Sequence, residues 1–316
     1  VKISLALPTS RVDEPEEFLS SAAVAEMARA AEAAGFDAVY VTEHPFPSDE
    51  WMASGGHHAL DPFVALSFAG AATHRLRLQT NLCVIPYRNP FLTAKSVASL
   101  DRLSGGRVVL GVATGYLEGE FEALGVRFDE RNELADEALL LMKEAWTGRT
   151  VVADGVHWRA RGNTMLPRPA QDPHPPVWVG GNSRRAVRRA VELADGWAPM
   201  PNAAATAQRR HSPALETIGE LRARLDYLRE HAAVVGRTEP ITVAFSLGGL
   251  SVPEAHGEGD EYLVDVAGQL AEAGVSYLYG GVARADTRAQ FLEEVARMGE
   301  SLVPRLAEIP APDLQV

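Results

Sequence analysis

The chain has 316 residues, a formal net charge of −12 and one cysteine, Cys83. A lone cysteine excludes a disulfide framework and any cysteine-rich zinc module, and the acidic balance argues against a nucleic-acid partner. With 46% hydrophobic and 23% charged residues and no long apolar run, the composition is that of a globular chain with a large core, and no membrane span is expected.

Short β-type runs alternate with amphipathic helical segments. Residues 2–7 read as a strand, preceded by nothing that resembles a secretory leader, so a cytoplasmic location is expected. A helix follows at 22–34, where Ala23, Met27, Ala30, Ala31 and Ala34 share a face and Gly35 is the stop. A strand at 38–42 leads to a helix at 62–72, with Asp61 as N-cap and Pro62 as its first residue. Strand 77–84 pairs with helix 90–103, and strand 108–112 with helix 133–146. The second half continues with strand 177–180 and helix 183–194, then strand 196–200 and a helix near 218–232. Strand 241–246 and helix 261–273, then strand 277–280 and helix 287–306, complete the series.

Eight strand–helix units predict an α/β fold closed as a (β/α)8 TIM barrel, one domain over residues 1–316. A doubly wound sheet lacks its fingerprint, because Gly111-Val112-Ala113-Thr114-Gly115 is not GxGxxG and no GxxxxGK[ST] occurs. Three segments exceed the minimal barrel: 45–60, 146–176 with a hairpin-like stretch at 151–161, and 202–217. Long loops at or near the C-terminal strand ends belong to the mouth, where barrel active sites are built. The basic residues comprise 27 arginines and three lysines, which reads as coding bias of a GC-rich genome.

Candidate chemistry is therefore sought at strand ends. The second strand ends in Thr42-Glu43-His44-Pro45. His44 suits proton transfer or hydrogen bonding to a developing charge; a structural histidine capping the strand is the alternative. Cys83 reads as core packing. The fourth strand ends in Gly111-Val112-Ala113-Thr114-Gly115-Tyr116, small residues that admit a flat ring or simply make a tight turn. Tyr116 is a proton donor or a packing aromatic. Val177-Trp178-Val179-Gly180-Gly181-Asn182-Ser183 runs straight into a helix, and N–H groups at a helix N-terminus attract phosphate. An ordinary glycine loop with a polar N-cap is the plain alternative. Arg184, Arg185, Arg188 and Arg189 form either a solvated helix face or a binding surface for an acidic cofactor tail. His57 and His58 sit in a loop as possible substrate contacts. No HExxH, strand-end HxH or cysteine cluster points to a metal, and Glu43 alone cannot supply the two carboxylates of a glycosidase.

Several fragments, taken in order, resemble the bacterial luciferase-like monooxygenase superfamily, and within it the coenzyme F420-dependent oxidoreductases. They are Ala33-Ala34-Gly35-Phe36-Asp37-Ala38-Val39, Glu43-His44, Tyr87-Arg88-Asn89-Pro90-Phe91-Leu92-Thr93-Ala94-Lys95 and Leu103-Ser104-Gly105-Gly106-Arg107. Glu120-Phe121-Glu122-Ala123-Leu124-Gly125 and Pro176-Val177-Trp178-Val179-Gly180-Gly181 complete the set. The resemblance implies a TIM barrel, a homodimer and a flavin or deazaflavin at the mouth. It places His44 beside the reactive ring face, a non-prolyl cis peptide at Asn81-Leu82, and ring contacts at Thr114 and Gly115. It places the cofactor phosphate at Gly180, Gly181, Asn182 and Ser183.

Sugar-phosphate and alcohol dehydrogenases of the F420 branch carry a glutamate just after the Thr-Gly pair and a tryptophan a few residues past the histidine. Here those places hold Tyr116 and Ser48, so the expectation is a larger, more apolar small-molecule substrate, reduced at a C=C or C=N bond by hydride from F420. An FMN-dependent monooxygenase is the near alternative. A non-catalytic flavin-binding protein and a metal-dependent barrel hydrolase are the alternatives from other classes.

Overall fold

Eight parallel strands close on themselves in a computed structural model that describes residues 1–252, 255–283 and 285–316. The elements begin β1 (Lys2–Ala6), α1 (Pro15–Phe18), α2 (Ser21–Ala33), β2 (Ala38–Val41), α3 (Asp49–Ala53), α4 (Pro62–Ala72), β3 (Arg77–Val84) and α5 (Pro90–Ser104). They continue with β4 (Val108–Ala113), α6 (Glu118–Ala123), α7 (Arg131–Trp146), β5 (Val151–Asp154), β6 (Arg159–Asn163), β7 (Val177–Gly180), α8 (Arg184–Leu193) and β8 (Gly196–Ala198). The last are α9 (Ala204–Ala207), α10 (Ile218–Val235), β9 (Thr242–Ser246), α11 (Asp260–Ala273), β10 (Tyr277–Gly280), α12 (Arg288–Ser301) and α13 (Val303–Ala307). Around the barrel the order is β1-β10-β9-β8-β7-β4-β3-β2, and Lys2 pairing with Tyr277 closes the ring. The expected (β/α)8 TIM barrel is what the chain forms. The hairpin β5–β6 stands outside it as a separate two-stranded sheet.

Local chemistry accounts for the helices. Ser20, Asp61, Asn89 and Ser183 each accept a backbone N–H as N-cap. Thr217 and Thr287 build reciprocal capping boxes with Glu220 and Gln290. The stretch read as one helix at 287–306 is two, α12 and α13, because Pro304 lacks the N–H that continuation needs. Strand β8 ends at Ala198, two residues before the expected boundary.

Two cores result. The larger lies between the strands and the helices. The smaller fills the barrel with Ala38, Val109, Trp178, Ala198, Ala244, Tyr277 and Tyr279. Trp178 meets Tyr277 edge-on at 4.9 Å, and Tyr279 meets Tyr40 at 5.4 Å. This aromatic plug makes the barrel interior solid, so chemistry is confined to its rim.

The arginine excess has structural uses. Arg107 donates to the carbonyls of Gly70, Leu76 and Ser104. Arg237 serves Val191 and Ala194, and Arg102 serves Arg168 and Pro169. Five donors in a rigid fork suit these clustered carbonyls at helix ends and loops better than a lysine does.

Asp101, fully buried, accepts from the N–H groups of Val108, Ala170 and Gln171 and from Gln171 Nε2. It fastens the proline-rich return at 164–176 to the start of β4. Asp101→Ala strands these donors away from water, and a loss of roughly 2–4 kcal/mol is expected in the midpoint and extrapolated stability of urea unfolding. A change within 0.5 kcal/mol (about the scatter of a surface substitution) would refute this role.

Candidate active site

The floor of the mouth is made by an irregularity in β3. Thr80 pairs with Leu110 and Cys83 with Val112, so β3 holds one residue more than its partner, and the Asn81-Leu82 peptide is cis as the resemblance implied. Leu82 lies over the two inward-facing glycines. A Cβ on Gly111 would sit 2.8 Å from Leu82 Cδ2, and one on Gly180 would overlap Leu82 Cδ1. Gly115, at φ +79°, packs against Phe121 and Val84, each 2.7 Å from where its Cβ would stand. These three glycines therefore admit neighbouring side chains. The half-buried rim that faces outward comprises Asn81, Leu82, Ala113, Thr114, Gly115, Tyr116 and Gly181.

Two buried carboxylates organise the β2–β4 side. Glu43, 3% exposed, accepts from Val84 N at 2.6 Å and from the Arg88 guanidinium, which also reaches Asp61 Oδ2 at 3.1 Å. It ties the end of β2 to the end of β3 and is spent structurally. Glu120, 1% exposed, comes from α6. Its Oε1 accepts from Phe46 N at 3.2 Å; its Oε2 accepts from Tyr87 Oη at 2.9 Å and faces His44 Nδ1 at 3.4 Å. Burial and the Glu120 charge push the Tyr87 phenol far up, so it stays a donor. Cys83 is buried and its thiol is likewise pushed up, first by burial and then by Glu43, as a core residue should be.

His44 is the centre of an aromatic cage. Trp51 lies 4.4 Å from its ring centroid, His57 4.8 Å and Tyr116 6.1 Å. An ionised carboxylate only accepts, so the Nδ1 proton faces Glu120 and Nε2 is the atom left for other work. Among the described residues Nε2 has no hydrogen-bond partner. Burial pushes the Tyr116 phenol up; the Arg210 charge opposes the rise and Glu120 adds to it.

The places where the resemblance puts a glutamate and a tryptophan do hold Tyr116 and Ser48, but His44 has an acidic and an indole neighbour from elsewhere. Glu120 comes from α6, six residues after Thr114. Trp51 comes from α3: Ser48 caps that helix by accepting from Trp51 N, and the indole lies against His44. The sequence signal for Glu120 was its place in a family fragment; nothing marked its side chain as the one reaching His44. His57 is brought into the site, whereas His58 contributes only its carbonyl, to His57 Nδ1 at 2.9 Å.

The glycine loop after β7 differs from expectation in two ways. Gly181, at φ +108°, opens to the rim. Asn182 is 3% exposed and its side chain is consumed: Nδ2 donates to the Met200 and Pro213 carbonyls, and Oδ1 accepts from Met200 N. Ser183 Oγ accepts the Ala186 N–H as N-cap, which leaves its hydroxyl proton to donate. The Asn182 side chain is thus already committed within the protein, and Ser183 keeps one donor. The α8 arginines also turn away from the mouth. Arg185 and Arg189 bind Asp136, Arg188 reaches Tyr227 Oη, and Arg184 lies over the Tyr227 ring.

Across the mouth, a cleft of about 340 Å³ opens beyond the ends of β1, β2 and β10. Leu7, Val282 and Ala285 line it beside Arg11, Tyr40, Thr42 and His57. Burial raises the Tyr40 phenol to about 12, so it too remains protonated. Among the described residues no cluster of three or more metal-ligating side chains occurs, and no helix is long and apolar enough to cross a membrane.

Barrel, rim and caged histidine together define a family. Residues 4–254 match the model for luciferase-like monooxygenases, and the chain belongs to that family. It is 32% identical over 253 residues to an uncharacterized protein of Mycobacterium tuberculosis, covering 76% of this chain and 82% of that one. It is 36% identical over 178 residues to an F420-dependent glucose-6-phosphate dehydrogenase of Nakamurella multipartita, covering 55% of this chain and 50% of that one. The fold also matches the FMN-bound oxygenating constituent of 3,6-diketocamphane monooxygenase from Pseudomonas putida, at TM-score 0.75 and 15% identity over 98% of this chain and 99% of that one. The chain is also 30% identical over 176 residues to an FMNH2-dependent dimethylsulfone monooxygenase of Pseudomonas putida, covering 55% of this chain and 44% of that one. Sequence relatives of both cofactor types support an oxidoreductase using a flavin or deazaflavin.

Burial lowers the His57 pKa, only partly offset by its bond to the His58 carbonyl. Between that lowered value and about 6.5 the unfolded chain binds the extra proton, so this group's contribution to stability falls as pH drops through the window. His57→Gln should flatten part of the decline in urea-unfolding stability between pH 7.5 and 5. An unchanged slope would show that His57 is not desolvated.

Proposed function

We propose that the chain is an F420-dependent oxidoreductase that moves a hydride between the deazaflavin and an organic substrate of the C=C or C=N type. The observation that carries this reading is His44 held by Glu120 beneath Trp51. A histidine with a carboxylate and an indole beside it has the same residue types that the resemblance gives to F420-dependent dehydrogenases, here drawn from other positions of the chain. Leu82, Thr114, Gly115 and Gly181, half-buried at the strand ends, would hold the ring, with Asn81 beside them and the Gly180–Ser183 loop for its phosphate.

When bound, the reduced deazaflavin supplies the hydride. Reducing C=C or C=N also consumes one proton at the neighbouring atom, and His44 Nε2, the ring nitrogen without a partner among the described residues, would deliver it. Glu120 holds the imidazole in orientation, as a buried carboxylate does for a catalytic histidine. Tyr116 stands beside His44 as a second donor. Trp51 and His57 keep water from the imidazole. The substrate enters from the cleft under His57. Tyr116 and Ser48 still stand where the resemblance gives the sugar-phosphate and alcohol dehydrogenases a glutamate and a tryptophan, so a larger, more apolar substrate remains part of this reading. A cytoplasmic homodimer as one luciferase-like unit belongs to the same reading. Val64 and Phe68, exposed at 57% and 49% on the apolar helix α4, support a partner there.

Equilibrium titration of the purified protein with F420 and with FMN, followed by cofactor fluorescence, tests the cofactor. Tight F420 and weak FMN binding is expected; the reverse assigns the chain to the oxygen-using monooxygenases, and binding of neither removes the reading. With a panel of unsaturated and imine substrates, His44→Ala and Glu120→Gln should each lower kcat by roughly 10²–10⁴-fold with cofactor affinity retained. Full turnover in His44→Ala would overturn the role given to His44.

A further inference from the structure

Resting on that reading, we infer that the segment 203–213 is the anion-binding wall of the site and that Arg210 supplies the positive charge for the cofactor's phosphoryl group. The four arginines nearest the glycine loop in sequence are turned away and paired, so the mouth needs another cation. The segment after β8 brings one. It is pinned at three places around the rim. Ser212 Oγ accepts from Asn182 N at 3.4 Å, so the segment lies directly on the glycine loop. Asn202 Nδ2 donates to the Ser212 carbonyl at 2.8 Å, and Asn182 Nδ2 to the Pro213 carbonyl at 3.0 Å. His211, at φ +45°, is held by Glu118 Oε1 at 3.4 Å and by the edge of Phe128 at 4.9 Å, on the β4 side.

Arg210 is thereby carried between the β7 loop and the β4 loop, half-buried, close enough for its charge to act on Tyr116. Its one hydrogen bond is long, from NH1 to Asn202 Oδ1 at 3.5 Å, and among the described residues it has no carboxylate partner. A half-buried guanidinium without a carboxylate partner, beside a loop whose Gly181 has no Cβ and is half-buried at the rim, suits an oxyanion. The Asn182 side chain then has a defined part in setting the loop and its strap, Ser183 caps α8, and the charge comes from Arg210. A phosphate monoester and a phosphodiester offer the same oxygens, so the inference covers FMN and F420 alike.

The test measures dissociation constants for wild type, Arg210→Ala and Arg210→Lys. The ligands are FMN and F420, and the phosphate-free ring compounds, riboflavin and its deazaflavin counterpart. Arg210→Ala should weaken the phosphorylated compound by roughly tenfold or more, leave the phosphate-free ring unchanged, and lower the dependence of binding on salt. Arg210→Lys should recover part of the affinity. Equal weakening of both compounds would show that Arg210 only shapes the mouth, and no change in either would show that it faces solvent; each result overturns the inference. Wild type binding none of the four compounds would instead overturn the functional reading, and this inference with it.

Discussion

A carboxylate taken out of water must be met by donors, and the mouth of this barrel is arranged around two that are. Glu43 draws the Val84 N–H and Arg88 inward, and so fixes the end of β2 against the end of β3. Glu120 gathers three donors from separate places: the Phe46 backbone, Tyr87 and His44. Because an unpaired buried charge costs several kcal/mol, neither cluster can relax part by part. The loop after β2, the turn at Ile85–Tyr87 and helix α6 are consequently held as one assembly. His44 inherits its position from that assembly more than from its own strand.

The opposite side of the rim obeys a different rule. Around the β7 loop the fixed groups are amides and hydroxyls, spent on one another through Asn182, Ser183, Asn202 and Ser212. These hold a loop in shape without placing a buried charge there. The mouth thus has a side built around a buried carboxylate and a caged histidine, and a side built from neutral amides and hydroxyls where, among the described residues, Arg210 has no carboxylate partner.

The fold was legible because its signals are local. Asp61-Pro62 starts α4, Gly105 ends α5 at φ +72°, and alternation of strand and helix then admits few topologies. Strand positions for His44, Thr114 and Gly180 followed from the same pattern. What could not be read were contacts whose spacing in sequence carries no period. Glu120 lies 76 residues from His44, and only the turn of α6 brings them together. Trp51 was missed because nothing in its spacing from His44 marks it; a capped helix of five residues reverses the chain and returns the indole to the imidazole. The α8 arginines misled for the opposite reason. A basic helix next to a phosphate loop suggests an anion site, but helix phase puts Arg185 and Arg189 against the acidic face of α7 instead.

The pairing of Lys2 with Tyr277 has a consequence for how the chain is made. Strands β1 to β4 emerge in succession and can pair at once, and they carry His44, Asn81 and Thr114 among or just beyond them. The sheet they form has an unpaired edge at β1 that only β10 can cover, after most of the chain has been synthesised. Contacts this distant in sequence form slowly, and exposed strand edges recruit wrong partners. During translation the histidine side of the mouth can therefore exist as an open, sticky half-barrel. Closure removes that edge, which makes the late strands, remote from His44, the ones whose errors a cell would meet as aggregation.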